Sequence, residues 1–466
     1  MKLFNTLGRK FEDFKSIDGN RVKLYTCGPT VYDYTQLGNL RSFVFDDTLR
    51  RGLEFAGYDV KHVMNITDVG HLVSDMDEGE DKLEKGAERE GRTVWEIADH
   101  YIDSFKQDMN KLNVLPPNGY DSPKGPYARA TDFIAQQIEL VQILIDKDFA
   151  YPTERAIYFD VSKLEDYGIL SGQKLSDKEV GARSEVVSDP AKRNPQDFAV
   201  WFFLVDRFAN HSMHWPSPWG EGFPGWHLEC SAIIHATLGD PIDIHTGGVD
   251  HIGTHHTNEM AQTEAAYGDK LANYWLHNEF LLVEGQRMGK SLGNFYTLAD
   301  VEDRGYDSLA LRLLFLQSHY RSQMNFTWQS LEAAAQYLAS LRAWADQKYQ
   351  HDRLDVIDDA QSVRLISELK AGISEDLNTA RGLAAVNEFV DKVAPSDNLL
   401  KELDRLFGLD LSIRQDLDQS QKDLINERDE ARHSQNWAKS DELRDKLAKQ
   451  GIGLNDTPDG SIWYRL

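Results

Sequence analysis

The stretch Tyr25 to Arg41, reading YTCGPTVYDYTQLGNLR, limits what this chain can become more than any other. A short apolar run, Val22 to Tyr25, leads into it. Gly28 and Pro29 then make a turn, and an amphipathic pattern from about Asn39 to Phe55 leaves it. Strand, turn and helix in that order bring backbone N–H groups at a helix N-terminus to face a phosphate. The same stretch holds Cys27, one of two cysteines in the chain. One turn therefore offers both an anion cradle and a metal-type ligand.

Composition sets the frame for these two features. A chain of 466 residues suggests three or so domains, and 41% hydrophobic with 27% charged residues is ordinary for a folded globular protein. No apolar run approaches the roughly 20 residues of a membrane helix. The start, MKLFNTLGRKFEDF, has no apolar core and no cleavage site, so no signal peptide is expected. Two cysteines make no disulfide framework, and a cytoplasmic protein with no membrane partner is expected. The net charge of −25 argues against a broadly basic nucleic-acid surface. It does not exclude a local binding track, and an acidic exterior also suppresses non-specific binding.

Along the chain, residues 1–115 alternate strand and helix: strands Val22–Tyr25 and Asp59–Asn65, helices Leu40–Phe55 and Val94–Leu112. This favours a parallel sheet with helices on both faces, the α/β class. The second strand runs into NITDVGH, so Thr67 and Asp68 sit where open sheets bind ligands, although both residue types also serve as caps and turns. Asp75 to Glu90, dense in mixed charge, reads as a mobile solvated loop. Prolines 116, 117, 123 and 126 mark a change of pattern. Residues 116–224 read as an insertion that splits one sheet domain, whose second half is 225–305. Helical patterns dominate afterwards, with Leu331–Ala345 and Ala360–Val393 in a bundle over 306–409. A small C-terminal domain, 410–466, contains a charged helix pair and a short tail.

Further chemistry lies in the second half. Cys230 is followed by GGVDHIGTHHTNEMAQTEA, in which His255 and Glu259 share a helix face. With Cys27 these make two thiolates, an imidazole and a carboxylate, a donor set that zinc accepts. Equally, a lone Cys is usually a small buried hydrophobe and a His-x-x-x-Glu pair is commonly solvated, so spacing alone leaves both readings open. After an apolar strand, Phe280–Val283, comes QRMGKSLGN, where Lys290 sits in a Gly- and Ser-rich loop. A lysine there can reach a phosphate. The spacing is not that of a Walker A loop, and a surface turn is the plain alternative.

Taken together, CGPTVYDYTQLGNLR, GFPGWHLECS, GGVDHIGTHHTNE, RMGKSLGN and HYRSQMNF resemble, in order, the cysteinyl-tRNA synthetase family of class I aminoacyl-tRNA synthetases. NERDEARHSQNWAKSDELRDKL is similar to that family's anticodon-binding helices. The resemblance implies a Rossmann-like catalytic domain split by an insertion, then a helical bundle and an anticodon-binding end. It implies a ligase that activates L-cysteine with ATP and Mg²⁺ and transfers it to tRNA(Cys), most simply as a monomer. It implies zinc on Cys27, Cys230, His255 and Glu259, meeting the substrate thiolate. Serine and alanine cannot form that bond, which makes editing unnecessary. Gly28, Thr67 and Trp226 are implied at the cysteine pocket, Gly38, Asp250 and Lys290 at ATP, and Gln36, Asn39 and Lys290 in the phosphate chemistry.

Two departures stand out. The HIGH signature reads Gln36-Leu37-Gly38-Asn39, with amides for both histidines, and the KMSKS signature reads Arg287-Met288-Gly289-Lys290-Ser291. Exchanging a charge-assisted bond for a neutral one costs about 1 kcal/mol, about fivefold in rate, at each position. Alternatives are therefore a non-catalytic paralogue that binds tRNA or adenylate, and a cysteine-activating ligase of thiol biosynthesis. Trp437 and Trp463 are candidates for stacking on anticodon bases, and Arg432 and Arg444 for meeting phosphates.

Overall fold

This computed structural model describes residues 1–69, 72–74, 78–172, 189–289, 292–390, 392–458 and 460–466. The Arg21–Thr26 strand lies at the centre of a five-stranded parallel sheet. Its order is Ala272–Asn278, Ile242–Gly248, Arg21–Thr26, Asp59–Ile66, Ala128–Arg129. Val22, Leu24 and Tyr25 are completely buried, as expected of a parallel strand covered on both faces. The chain builds outward to one side, then returns and builds to the other. That reversal creates a switch point between Arg21–Thr26 and Ile242–Gly248, at whose carboxyl ends such sheets hold ligands.

Helix α1 (Leu37–Phe55) follows the central strand. Helix α2 (Lys82–Glu90) corrects the expectation of a mobile loop at Asp75–Glu90, so far as those residues are described. Asp81 caps it by accepting from the Leu83 and Glu84 amides, and Gly91 closes it at φ 65°. Leu83, Gly86 and Ala87 give it a narrow buried face, which the surrounding charges disguise in the sequence. Helix α3 (Val94–Lys111) opens on a capping box of Thr93 and Glu96.

The insertion contributes α4 (Ile134–Asp146) and a five-stranded antiparallel sheet in the order Trp215–Ser217, Gly220–Pro224, Phe198–Phe203, Ala156–Phe159, Ala150–Pro152. Within the expected 116–224 insertion, Ala128–Arg129 pairs with Asn65 and Ile66 as the edge strand of the parallel sheet. Two residues are too short a run to carry a strand pattern. Helices α5 (Trp226–Thr237) and α6 (His255–Tyr267) then flank the returning strand.

Beyond it, Leu281–Val283 pairs with Gln286–Arg287 and Met324–Phe326. Helices α7 (Leu298–Asp303), α8 (Ser308–Leu316) and α9 (Trp328–Asp346) follow. The long pattern Ala360–Val393 divides into α10 (Asp359–Ser374) and α11 (Thr379–Asn387). Asp376 and Leu377 take φ of 56° and 58° between them, which no helix tolerates. After α12 (Asp397–Phe407), the chain ends in α13 (Gln419–His433), α14 (Trp437–Ala448) and a hairpin, Ile452–Thr457 with Gly460–Arg465, where a tail was expected.

That end has its own core of Leu417, Ile425, Leu447, Ile452 and Trp463. Trp463 is 4% exposed, so it packs rather than stacks on bases, which corrects the expectation for it. Trp437 is 60% exposed. Arg432 and Arg444 both reach the Asp456 carboxylate. Among the described residues, no helix is long and apolar enough to cross a membrane.

Candidate active site and metal centre

A cavity of about 640 Å³ opens at the switch point. Cys27, Gly28, Gln36, Asn39, Thr67, Trp226, Asp250 and His255 all line it. Cys230 and Glu259 lie beneath its floor, completely shielded from solvent or nearly so. Gly38 sits in the first turn of α1 beside the lining residues Gln36 and Asn39. Lys290 and its neighbour Ser291 lie outside the described residues.

The turn after the central strand is built for backbone proximity. A Cβ on Gly28 would sit 1.7 Å from the Asn65 carbonyl oxygen, so only glycine fits. The Gly28 amide donates to Asn65 Oδ1 at 2.8 Å. Thr67 pins the same turn: its amide donates to the Pro29 carbonyl, and its carbonyl accepts from Val31. Its hydroxyl donates to Glu229 Oε2 at 2.8 Å. Gln36 is the N-cap of α1, yet its side chain makes no capping bond. A Cβ on Gly38 would meet only the Leu281 side chain, at 4.0 Å. The protein itself thus does not demand glycine there, and the space beside the first turn of the helix lies open.

At the floor, the ligand atoms of Cys27, Cys230, His255 and Glu259 all lie within 4.8 Å of one another. The residues come from the loop after the central strand, from α5 and from α6. Glu259 Oε1 is buried and makes no hydrogen bond, although His255 Nε2 is 2.7 Å away. The other His255 nitrogen, Nδ1, is occupied by His227 Nδ1 at 3.0 Å. Nε2 of His255 and Oε1 of Glu259 are therefore the atoms left for an ion, and two sulfurs stand within reach of the same point. Sulfur, nitrogen and oxygen donors together fit zinc.

Cys27 and Glu259 also belong to a second close group with His245 and His256. There the imidazoles are already spent. His245 Nε2 bonds Glu259 Oε2 at 2.6 Å, while His256 bonds His277 at 2.8 Å and Cys27 Sγ at 3.3 Å. These histidines orient the first set, as partners of ligands commonly do.

Electrostatics agree with a cation at this point. Burial raises the Cys230 thiol, but its hydrogen bond with Cys27 and the neighbouring His255 bring it down to about 6. Burial keeps Cys27 well above the ordinary thiol range. Burial opposes protonation of His255, and the Glu259 carboxylate overrides it, raising the imidazole to about 10. A proton on His255 thus stands where a metal would displace it.

Trp226 stacks on His255 with ring centroids 4.2 Å apart, forming one wall above the floor. Near the far rim, Gly289 donates its amide to Asn294 Oδ1, and Asn294 donates back to the Arg287 carbonyl. This ties down the described part of the Arg287–Ser291 loop.

His227, His245, His256 and His277 belong to no motif that singles them out in the sequence, although His245, His251, His255 and His256 crowd one short stretch. Asp46, equally unmarked in the sequence, accepts from Thr246 Oγ1 at 2.6 Å and lines the cavity. Burial raises that carboxyl to about 8. Asp46 lies inside α1, where its sequence context is that of any helical aspartate.

Residues 13–336 match the family model for the tRNA synthetases class I (C) catalytic domain. A cysteine–tRNA ligase of Treponema denticola is 40% identical, covering 100% of this chain and 100% of that protein. Cysteine–tRNA ligase 1 of Burkholderia lata is 42% identical over 99% of this chain and 96% of its own. Among solved structures, Mycobacterium tuberculosis methionyl-tRNA synthetase with methionyl-adenylate superposes with a TM-score of 0.57 at 14% identity, covering 84% and 89% of the two chains. The Agrobacterium radiobacter LeuRS–tRNA–LeuAMS complex gives 0.57 at 13% identity, covering 86% and 84%. Those two likenesses establish the fold, and the end-to-end relatives carry the narrower assignment: the chain belongs to the cysteine–tRNA ligase family of class I tRNA synthetases.

Proposed function

We propose that this protein ligates L-cysteine to tRNA(Cys), working as a monomer in the cytoplasm. The observation that carries the reading is the convergence of two thiols, an imidazole and a carboxylate under a cavity whose rim is a helix N-terminus. Cys27, Cys230, His255 and Glu259 would hold zinc, which when bound supplies a thiophilic Lewis acid for the substrate's sulfur. Trp226 closes the wall beside that sulfur. Glycine at 28 lets the Asn65 carbonyl close on the turn, which Thr67 and Asn65 hold in place against the substrate.

With the sulfur held at the floor, the cysteine carboxylate points toward the rim. It attacks the α-phosphorus of Mg²⁺-bound ATP, and pyrophosphate leaves. A ribose hydroxyl at the tRNA 3′ end then attacks the carbonyl of the adenylate, and AMP leaves. No protein nucleophile is needed, so the protein contributes position and charge stabilisation. Gln36 and Asn39 donate neutral hydrogen bonds to phosphate beside the open first turn at Gly38. Asp250 accepts from the ATP ribose, and Lys290 meets the phosphates from its loop.

The test is cysteine-dependent ATP–pyrophosphate exchange on zinc-loaded protein, with serine as the control substrate. Exchange should occur with cysteine alone, and Cys230→Ser should lose at least a hundredfold together with its bound zinc. Zinc-loaded, folded protein without exchange would transfer the case to a binding paralogue whose amide-substituted turn no longer supports chemistry.

A further inference from the structure

Helix α2 turns Lys82, Lys85 and Arg89 toward the cavity, and among the described residues that line it these are the only lysines and arginines. Spacings of three and four place them on one helical face. The anions of the same helix are turned away. Glu84 accepts from the Ser212 amide at 2.7 Å and from its hydroxyl, and Glu88 lines a separate groove. Leu83 and Ala87 pack inward. A chain of net charge −25 has therefore sorted one short helix so that its cations face the substrate cavity.

The helix is seated on the loop that leads to Gln36 and Asn39. A Cβ on Gly86 would lie 3.4 Å from the Tyr32 carbonyl oxygen, so the two backbones are close. Lys82 Nζ lies 5.2 Å from the centre of the Tyr32 ring. Arg89 is 3.8 Å from Asp33 and 2.9 Å from Glu90, and Glu90 in turn accepts from Tyr101 at 2.7 Å. Arg89 is thus largely a strut that holds the helix to the rim, and Lys82 and Lys85 line the cavity on the same helical face.

We propose that Lys82 and Lys85, positioned by Arg89, form a phosphate-binding wall that supplies the positive charge Gln36 and Asn39 do not. The ligand is a phosphate oxyanion of a nucleotide, contributed either by the triphosphate tail of ATP or by the 3′-terminal phosphates of tRNA. Mobile ammonium groups serve as point charges for such a ligand. This inference rests on the ligase reading for the identity of those two sources.

The experiment uses the full, zinc-loaded chain carrying Lys82→Gln with Lys85→Gln, and the matching Lys82→Arg, Lys85→Arg pair. Exchange without tRNA reads the ATP source, and aminoacylation at saturating ATP reads the tRNA source. The glutamine pair should lose at least tenfold in kcat/KM in one arm, and the arginine pair should regain most of it. If tRNA is the ligand, the salt dependence of its KM should also become shallower by about one unit in log–log slope, near the value for one or two single-strand phosphates. Both arms within twofold of wild type would overturn the proposal. So would an arginine pair as impaired as the glutamine pair, because the defect would then be structural. Wild-type protein with no exchange would sink the ligase reading instead. Direct titration of ATP and of tRNA onto wild type and the glutamine pair would then decide this one, with tenfold weaker binding of either ligand supporting it and equal binding overturning it.

Discussion

At the residue scale, Arg41 shows how one side chain joins α1 to the segments that lead into the Leu281–Val283 and Met324–Phe326 strands. It stands two residues after Asn39 and is buried. Its Nη1 donates to the carbonyls of Glu279 and Phe280 at 2.8 and 3.0 Å, and its Nη2 to those of His319 and Ser322 at 3.2 and 2.6 Å. Those carbonyls flank the strands beside the Arg287–Ser291 loop. Burial lowers the guanidinium to about 10, so it stays charged at neutral pH. A lysine keeps the charge but not the planar fork that spans four acceptors. Arg41→Lys should destabilise the protein by about 1–2 kcal/mol and Arg41→Ala by about 2–3 kcal/mol, since buried carbonyls lose their donors. Both should raise the KM for ATP in exchange more than the KM for cysteine, because the floor of Cys27, Cys230, His255 and Glu259 is untouched. Thermal unfolding and exchange kinetics check this, and an Arg41→Ala protein that melts like wild type with an unchanged KM for ATP would refute it. In sequence Arg41 is only the last letter of a motif, and four carbonyls from distant segments leave no trace in residue type.

At the element scale, legibility followed period and punctuation. The Arg21–Thr26 strand, α1 and α3 announce themselves through an apolar run, a glycine-proline turn and a capping box. The four metal-type donors were nameable because the chain has so few cysteines, but only the fold brings Cys27 and Cys230 together. Helix α2 was hidden because its buried face is three small or single residues among charges. The C-terminal hairpin was hidden because Asn455, Asp456, Thr457, Pro458 and Gly460, at its turn and the strand ends beside it, read as a tail. That hairpin is held by Asp456, which accepts from Arg428 at 2.6 Å and Arg444 at 2.7 Å, with Arg432 at 3.2 Å. The hydrogen bond from Arg428, reinforced by all three positive charges against partial burial, lowers the Asp456 carboxyl to about 2 from an ordinary 3.8. A carboxyl depressed on folding gives stability that is complete above its unfolded value and vanishes as pH falls through its folded one. The window here runs from about pH 4 down to about pH 2, and solvent exposure trims the contribution to about 1–2 kcal/mol. Asp456→Asn should therefore lose that amount at neutral pH, and the gap from wild type should close as pH falls from 4 to 2. Denaturant unfolding followed by tryptophan fluorescence measures the gap, and a gap independent of pH would disprove the assignment.

At the scale of the whole molecule, the catalytic sheet and the helical bundle are latched by one buried carboxylate. Asp47 of α1 accepts from Arg51 Nε at 2.7 Å, from Arg312 Nη2 at 2.5 Å and from the Leu115 amide at 2.9 Å. Arg312, on α8, is completely buried and also donates to the carbonyls of Phe407, at the end of α12, and Leu112, just past α3. Arg51 donates to the Asp404 carbonyl of α12. Burial pushes the Asp47 carboxyl up, but Arg312 and Arg51 outweigh it and hold the group ionised. Four helices from both ends of the chain thus meet at one charge, on the helix whose first turn faces the cavity. Removing that charge strands two guanidinium groups in a low dielectric, which costs about 3–5 kcal/mol. Asp47→Asn should accordingly be destabilised by about that amount. It should also separate the unfolding of the bundle from that of the catalytic sheet, and exchange activity should fade at a lower temperature than wild type. Calorimetry resolves the two transitions and exchange at rising temperature follows the second effect. A single cooperative transition for Asp47→Asn within about 1 kcal/mol of wild type would mean that the latch is packing between the helices and not this charge.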